Sequence, residues 1–223
     1  MSRTQKILTT MLWGLLVLVM VSVIGAGWWK RDTRYTEQGH VEIHPVGEGT
    51  TRGDVLFNVP AFSLVDQNNQ PVTDQALHGK PWVAAFIFTK CAGPCPMMSA
   101  NMAKLQQRVP HPDLKLVSFT VDPQRDTPAV LKQYAQTFQA DESRWSFLTG
   151  SSEAMTAVAK GMLLPFMPAS AEADITHSTK FLLVDAAGGV RGVYASDAEG
   201  MEQLATEAAK LVGTVPTTQP GAR

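Results

Sequence analysis

The sequence predicts an α/β protein, a three-layer sandwich around a mixed sheet, preceded by an N-terminal transmembrane helix. Three observations carry this prediction. The run Trp82-Val83-Ala84-Ala85-Phe86-Ile87-Phe88 has no polar alternation, as expected of a central strand covered on both faces. After it, apolar patterns of strand and helix period succeed one another, which implies strand–helix–strand crossovers and parallel pairing. Near the end, two short apolar stretches flank the turn Ala186-Ala187-Gly188-Gly189 and are followed by an amphipathic stretch, an antiparallel hairpin and a closing helix.

In chain order, Arg3 and Lys6 precede an uncharged run from Ile7 to Trp29. That run exceeds the roughly 20 residues a spanning helix needs and is too long for a signal-peptide apolar core. Trp28 and Trp29 beside Lys30 and Arg31 resemble an interfacial belt. Residues 1–29 are therefore expected to be an uncleaved, single-pass anchor in the cell membrane. A short N-terminus ahead of one apolar helix is the usual arrangement of an inserted anchor. It places the large C-terminal part on the extracytoplasmic, periplasmic side. Residues 30–54 are polar and Gly-rich and read as a flexible tether.

The folded domain is expected over 55–213. Phe62 to Val65 reads as a strand entering the turn Asp66–Pro71, with Val72 resuming beyond it. Trp82–Phe88 is the central strand, Met97–Arg108 a helix, and Leu114–Val121 the next strand. Thr127-Pro128 has the form of a helix start, threonine as cap and proline in the first turn, with Val130, Leu131, Tyr134 and Phe138 as its apolar stripe. Trp145–Leu148 is a short apolar segment, Ser152–Leu163 a helix, Thr179–Val184 and Val190–Tyr194 the hairpin, and Ala198–Val212 the last helix. The tail 214–223, with Pro216 and Pro220, reads as disordered.

Composition narrows the function. With 19 basic and 20 acidic side chains the formal net charge is −1, so there is no basic field to gather phosphates, and a nucleic-acid partner is discounted. Hydrophobic residues make up 44% of the chain, enough to bury a core without disulfide staples. The only two cysteines, Cys91 and Cys95, stand in one motif and are free for chemistry.

That motif, Lys90-Cys91-Ala92-Gly93-Pro94-Cys95-Pro96-Met97-Met98, follows the central strand, at the end of a sheet where open α/β folds place their sites. If Pro96 is the first helical position, Cys95 caps the helix; the helix dipole and Lys90 would then raise its acidity. The loop is wide enough to close a disulfide or to let both sulfurs converge on one ion. Two thiolates and an imidazole would form a soft site suited to Cu(I). A permanent structural disulfide is the alternative, although so short a loop restrains the unfolded chain little.

The imidazole must come from elsewhere. His40 and His44 lie in the tether between Gly39 and Pro45, His78 precedes Gly79 in a turn, and His111 lies between prolines. His177 stands just before the strand that opens the hairpin, where it can face the end of the central strand. On position alone a histidine there reads first as structural. Met97, Met98 and Met102 are candidate thioether ligands, for which core packing is the simpler reading. Asp122, Arg125 and Asp126 surround Pro123 in a turn and read as architecture. Met162–Pro168 is an apolar loop able to cover the core or dock a partner.

Several of these features together resemble the Sco/SenC family of membrane-anchored, thioredoxin-fold proteins that assist assembly of the binuclear copper site of cytochrome c oxidase. The resemblance rests on the anchor, Phe88-Thr89-Lys90-Cys91 with Cys95-Pro96, Val121-Asp122-Pro123-Gln124-Arg125-Asp126-Thr127, and Thr176-His177-Ser178-Thr179-Lys180-Phe181-Leu182-Leu183-Val184-Asp185. It covers about residues 55 to 212. It implies a thioredoxin-like domain and copper held by Cys91, Cys95 and His177. The implied partner is the copper-site subunit of cytochrome c oxidase or another cysteine-containing copper acceptor. One departure is the Ala92-Gly93-Pro94 loop, where the family commonly has proline and aspartate after the first cysteine.

Two functions remain open on the sequence. A metallochaperone would deliver copper, whereas a thiol–disulfide oxidoreductase would use Cys91 and Cys95 as its catalytic redox pair to reduce partner cysteines. A peroxide reductase would need peroxide-activating polar groups, and no convincing set is visible.

Overall fold

The computed structural model describes residues 55–163 and 179–213, together with Gln5. Apart from Gln5, the expected anchor, tether and tail, and also His40, His44, His177 and residues 164–168 of the apolar loop, lie outside the described residues. The chain divides into two compact units, Met1–Pro45 and Val46–Arg223, and the elements treated below belong to the second. Among the described residues no helix is long and apolar enough to cross a membrane.

The elements are β1 (Phe57–Asn58), β2 (Ser63–Val65), β3 (Pro71–Thr73), a 3₁₀ turn (Asp74–Leu77), β4 (Trp82–Ile87), α1 (Cys95–Arg108), β5 (Lys115–Thr120), α2 (Pro128–Thr137), β6 (Trp145–Leu148), α3 (Ser152–Leu163), β7 (Lys180–Val184), β8 (Gly189–Ala195) and α4 (Ala198–Leu211). Six strands form one mixed sheet in the order β1-β8-β7-β4-β5-β6, and β2 and β3 form a separate hairpin. β4 pairs parallel to β5, and β5 parallel to β6, through the helical crossovers α1 and α2. β7 returns antiparallel to β4 and turns into β8.

Strand period two distributes β4 between the two cores. Val83, Ala85 and Ile87 face a cluster built with α1, α2 and α4, whereas Trp82, Ala84 and Phe86 face one built with α3 and the β2–β3 hairpin. Burial on both faces explains the uninterrupted apolar run. β6 is an edge, and its exposed ladder groups are met by a side chain: the buried Gln67 amide accepts from Phe147 N–H at 2.8 Å and donates to the Trp145 carbonyl at 3.3 Å. At the far end of α1, the buried Arg144 guanidinium donates to the carbonyls of Gln106 (2.7 Å), Val109 (2.9 Å) and His111 (3.1 Å). It satisfies acceptors that the helix terminus leaves open.

The β7–β8 turn is held by Asp185, whose carboxylate accepts from Ala187 N–H (2.8 Å), Gly189 N–H (2.9 Å) and Arg191 Nε. Gly188 takes φ +86°, a conformation open to glycine at little cost. Burial pushes the Asp185 pKa up, but the Gly189 hydrogen bond, the Arg191 bond and the Ala187 bond together hold it below the ordinary 3.8. A carboxylate lowered on folding stabilises the protein above its unfolded pKa, and that contribution is lost as pH falls through the folded value. The urea midpoint of wild type is therefore expected to exceed that of Asp185→Asn above about pH 5, the gap closing below the ordinary carboxylate pKa. A gap that persists unchanged at pH 2 would contradict this.

Candidate functional site

β4 ends at Ile87, and the chain then leaves the sheet through a short loop into α1. Cys91 lies in that loop, half-buried. Cys95 is the first residue of α1, with Pro94 in the cap position and Pro96 behind it in the first turn. The expectation that Cys95 caps the helix is thus off by one position. Cys95 turns inward, 3% exposed, onto the α1 core side.

Both thiols are free. They hydrogen-bond to one another, and Gly93 N–H donates to Cys91 Sγ at 3.4 Å. The expected acidity falls on the other sulfur. For Cys95, burial pushes the pKa from the ordinary 9.0 up to about 12, and its hydrogen bond with the Cys91 thiol adds to the rise. For Cys91, burial also acts upward, but hydrogen bonds from the Cys95 side chain, the Cys95 N–H and the Gly93 N–H outweigh it and lower the pKa. Lys90 is exposed. The physical reason is burial: the helix start that would favour a Cys95 thiolate is the point where the core covers the side chain.

The strand ends beside this loop are tied by a buried carboxylate. Asp126, 0% exposed, accepts from Thr89 N–H at 3.1 Å and from the hydroxyls of Thr89 and Thr120. Thr120 Oγ1 in turn accepts from Asp122 N–H at 3.0 Å. On the helix side, Ser99 Oγ lies 3.0 Å from Tyr134 Oη, joining α1 to α2. Reading Asp126 as a turn residue misses this role. The available signal was a pair of threonines, Thr120 ending β5 and Thr89 two residues past the end of β4, on strands whose last paired residues are Ile87 and Thr120.

Of the three candidate methionines, Met98 and Met102 are fully buried in the α1 core, as packing predicts, and Met97 presents its side chain outside, at 54% exposure. His78 is exposed, and His111 Nδ1 accepts from Asp113 N–H at 3.2 Å, so both keep their loop readings. Asp122 pairs with Arg125 at 2.8 Å on the surface. Among the described residues no group of three or more His, Cys, Asp and Glu side chains converges as a metal site. The described chain re-enters the sheet at Lys180, and β7 pairs Phe181 with Ala85 and Val184 with Trp82. β7 therefore begins at the end of β4 from which the Cys91 loop departs.

A mixed sheet with parallel crossovers, and a dithiol where the central strand passes into a helix, define a thioredoxin-like dithiol protein. The SCO1/SenC family profile matches residues 53–213, and the chain belongs to that family. It is 33% identical over 150 residues to the SCO1 protein homolog of Bacillus subtilis, covering 66% of this chain and 76% of that one. To a putative copper-binding protein of Stutzerimonas stutzeri it is 37% identical over 140 residues, 60% of this chain and 67% of the other. The crystal structure of a SCO1/SenC family lipoprotein from Bacillus anthracis superposes with TM-score 0.63 at 34% identity, over 72% of this chain and 98% of that one.

Proposed function

We propose that this protein is a copper metallochaperone that assists assembly of the binuclear copper site of a cytochrome c oxidase, carrying copper as Cu(I) on Cys91, Cys95 and His177. The observation that carries the reading is the sulfur pair itself: two free thiols in mutual hydrogen-bond contact at an open loop, one of them reachable from solvent. Soft donors so paired suit Cu(I) and disfavour hard cations. Membership of the family and a relative named as a putative copper-binding protein support it.

His177 precedes Lys180 by three positions, a tether of about 10 Å when extended. That reach, from a strand start beside the end of β4, is compatible with a third ligand. The cargo would be exchanged at the open side of the loop, where Ala92 and Gly93 are exposed. A cysteine-containing acceptor would replace the protein's sulfurs one at a time, Cys91 being the accessible one. Residues 1–29 would anchor the protein in the membrane, and the 30–54 tether would carry the domain 55–213 on the periplasmic side.

A second reading is favoured by the asymmetry of the thiols. The Cys91 thiolate would attack a partner disulfide, displacing one partner sulfur as a thiolate and forming a mixed disulfide. Cys95 would then lose its proton and attack Cys91, releasing the second partner thiol and leaving the Cys91–Cys95 disulfide. The pair loses two electrons and the partner gains them.

Anaerobic loading of the reduced protein with Cu(I) under chelator competition separates the two. Near-equimolar copper is expected for wild type, with affinity at least about tenfold weaker in His177→Ala and in Cys95→Ser. An exchange-only protein would not need the imidazole. Failure of reduced wild type to compete for copper would leave exchange as the function.

A further inference from the structure

We propose that Asp126 is a positioning residue for the Cys91–Cys95 pair: by gripping Thr89, its carboxylate holds the cysteine loop so that the two sulfurs stay at high effective concentration for one another. Cys91 and Cys95 are joined by Ala92 and Gly93, both exposed, and by Pro94. Such a loop has little packing of its own, so the separation of the sulfurs depends on how its two ends are held. The β4 end is held at Thr89, two residues before Cys91, whose N–H and hydroxyl both donate to Asp126. The α1 end is held by the buried Met98 and Met102 and by the contact of Ser99 with Tyr134.

Both anchors lead to one segment. Asp126 immediately precedes the Thr127 cap of α2, and Tyr134 lies within α2. One short, regular stretch of chain therefore sets the span across which the cysteine loop is strung. Thr120 fixes the direction of the bonds, because its oxygen already accepts from Asp122 N–H and its proton goes to Asp126. Asp126 is thus an acceptor from three donors. A fully buried carboxylate is costly unless so satisfied, and a simple turn needs none. Its placement at the strand ends accounts for that cost: it restrains the approach to Cys91, as a preorganised pair requires.

Loosening the grip lowers the effective concentration of each sulfur for the other, which weakens disulfide closure and two-sulfur metal coordination alike. Disulfide closure can be measured without copper, so its outcome is independent of the copper reading. Full-length protein is equilibrated with reduced and oxidised dithiothreitol. The two thiols give two electrons and two protons to the oxidised reagent as their S–S bond forms, and the remaining free thiols are then counted. The equilibrium constant for disulfide formation is expected to fall at least about fivefold in Asp126→Ala. Asp126→Asn keeps a carbonyl for Thr89 and is expected to recover more than half of that change on a logarithmic scale. Thr120→Val removes a buried hydrogen bond of the same carboxylate while leaving the grip on Thr89. It is expected to lower the melting temperature and leave the constant at the wild-type value within error. If Asp126→Ala fails to fold, Thr89→Val removes one of the two bonds from Thr89, and a fall of about twofold is expected. An Asp126→Ala protein that melts lower yet has the wild-type constant would overturn the proposal, as would an unchanged constant in Thr89→Val.

Discussion

Iodoacetamide at pH 7 is expected to alkylate Cys91 in the folded, reduced protein and to leave Cys95 essentially unmodified, with rates at least about a thousandfold apart. The thiolate is the reacting species. Burial raises the Cys95 pKa from the ordinary 9.0 to about 12, which alone reduces its thiolate about a thousandfold, while Cys91 lies below the ordinary value and contributes the opposite change. Steric access acts in the same direction, because Cys95 is 3% exposed. Mass spectrometry of the cysteine peptides after timed quenching gives both rates. In urea the two should react alike, since the difference belongs to the fold. Equal labelling in the native protein would show that Cys95 is neither buried nor protonated as described.

Phe119→Ala is expected to lower the free energy of unfolding by about 3–5 kcal/mol, read as a shift of the urea midpoint with little change in slope. Phe119 is fully buried on β5 and lies at the centre of an aromatic group. Its ring stacks on Phe86 with centroids 5.3 Å apart, meets Phe62 edge-on at 5.6 Å and lies tilted against Trp82 at 6.2 Å. Truncation empties the contact between the sheet and the β2–β3 hairpin, and each lost aromatic pair adds about 0.5–1.5 kcal/mol at most. The cavity lies on the face of the sheet opposite α1, so the Cys91–Cys95 constant should stay near that of wild type. A midpoint within error of wild type would mean that the hairpin refills the space.

The legible part of this protein was its backbone plan. Trp82–Phe88 and Leu114–Val121 each correspond to a strand within a residue or two, the short apolar segment Trp145–Leu148 forms a further strand, and Thr127-Pro128 does open a helix, though the threonine side chain makes no capping bond. Strand and helix periods are local properties of the chain, and β4 carries its two-sided burial openly as an unbroken apolar run. The motif with Cys91 and Cys95 was legible for the same reason: both residues and their place after the central strand are read along the chain. The parallel pairing across the crossovers and the antiparallel final hairpin were legible in the same way, whereas the placing of β7 against β4 and of β1 against β8 was not.

The properties of the site depended on distant residues. Which sulfur is acidic turns on which one the α1 core covers, and that cover comes from packing among α1, α2, α4 and the sheet. Asp126 is one more turn carboxylate in the sequence; it becomes a buried clamp because β4 and β5 end side by side and present Thr89 and Thr120 to it. Met97, Met98 and Met102 look alike as letters, and only the rotation of α1 against the sheet leaves Met97 outside. The sequence by itself determined which elements form and where the cysteine pair falls among them, because those follow from local periodicity and turn chemistry. Tertiary structure alone decided burial, and through burial the relative acidity of Cys91 and Cys95 and the placement of Asp126 beside their loop.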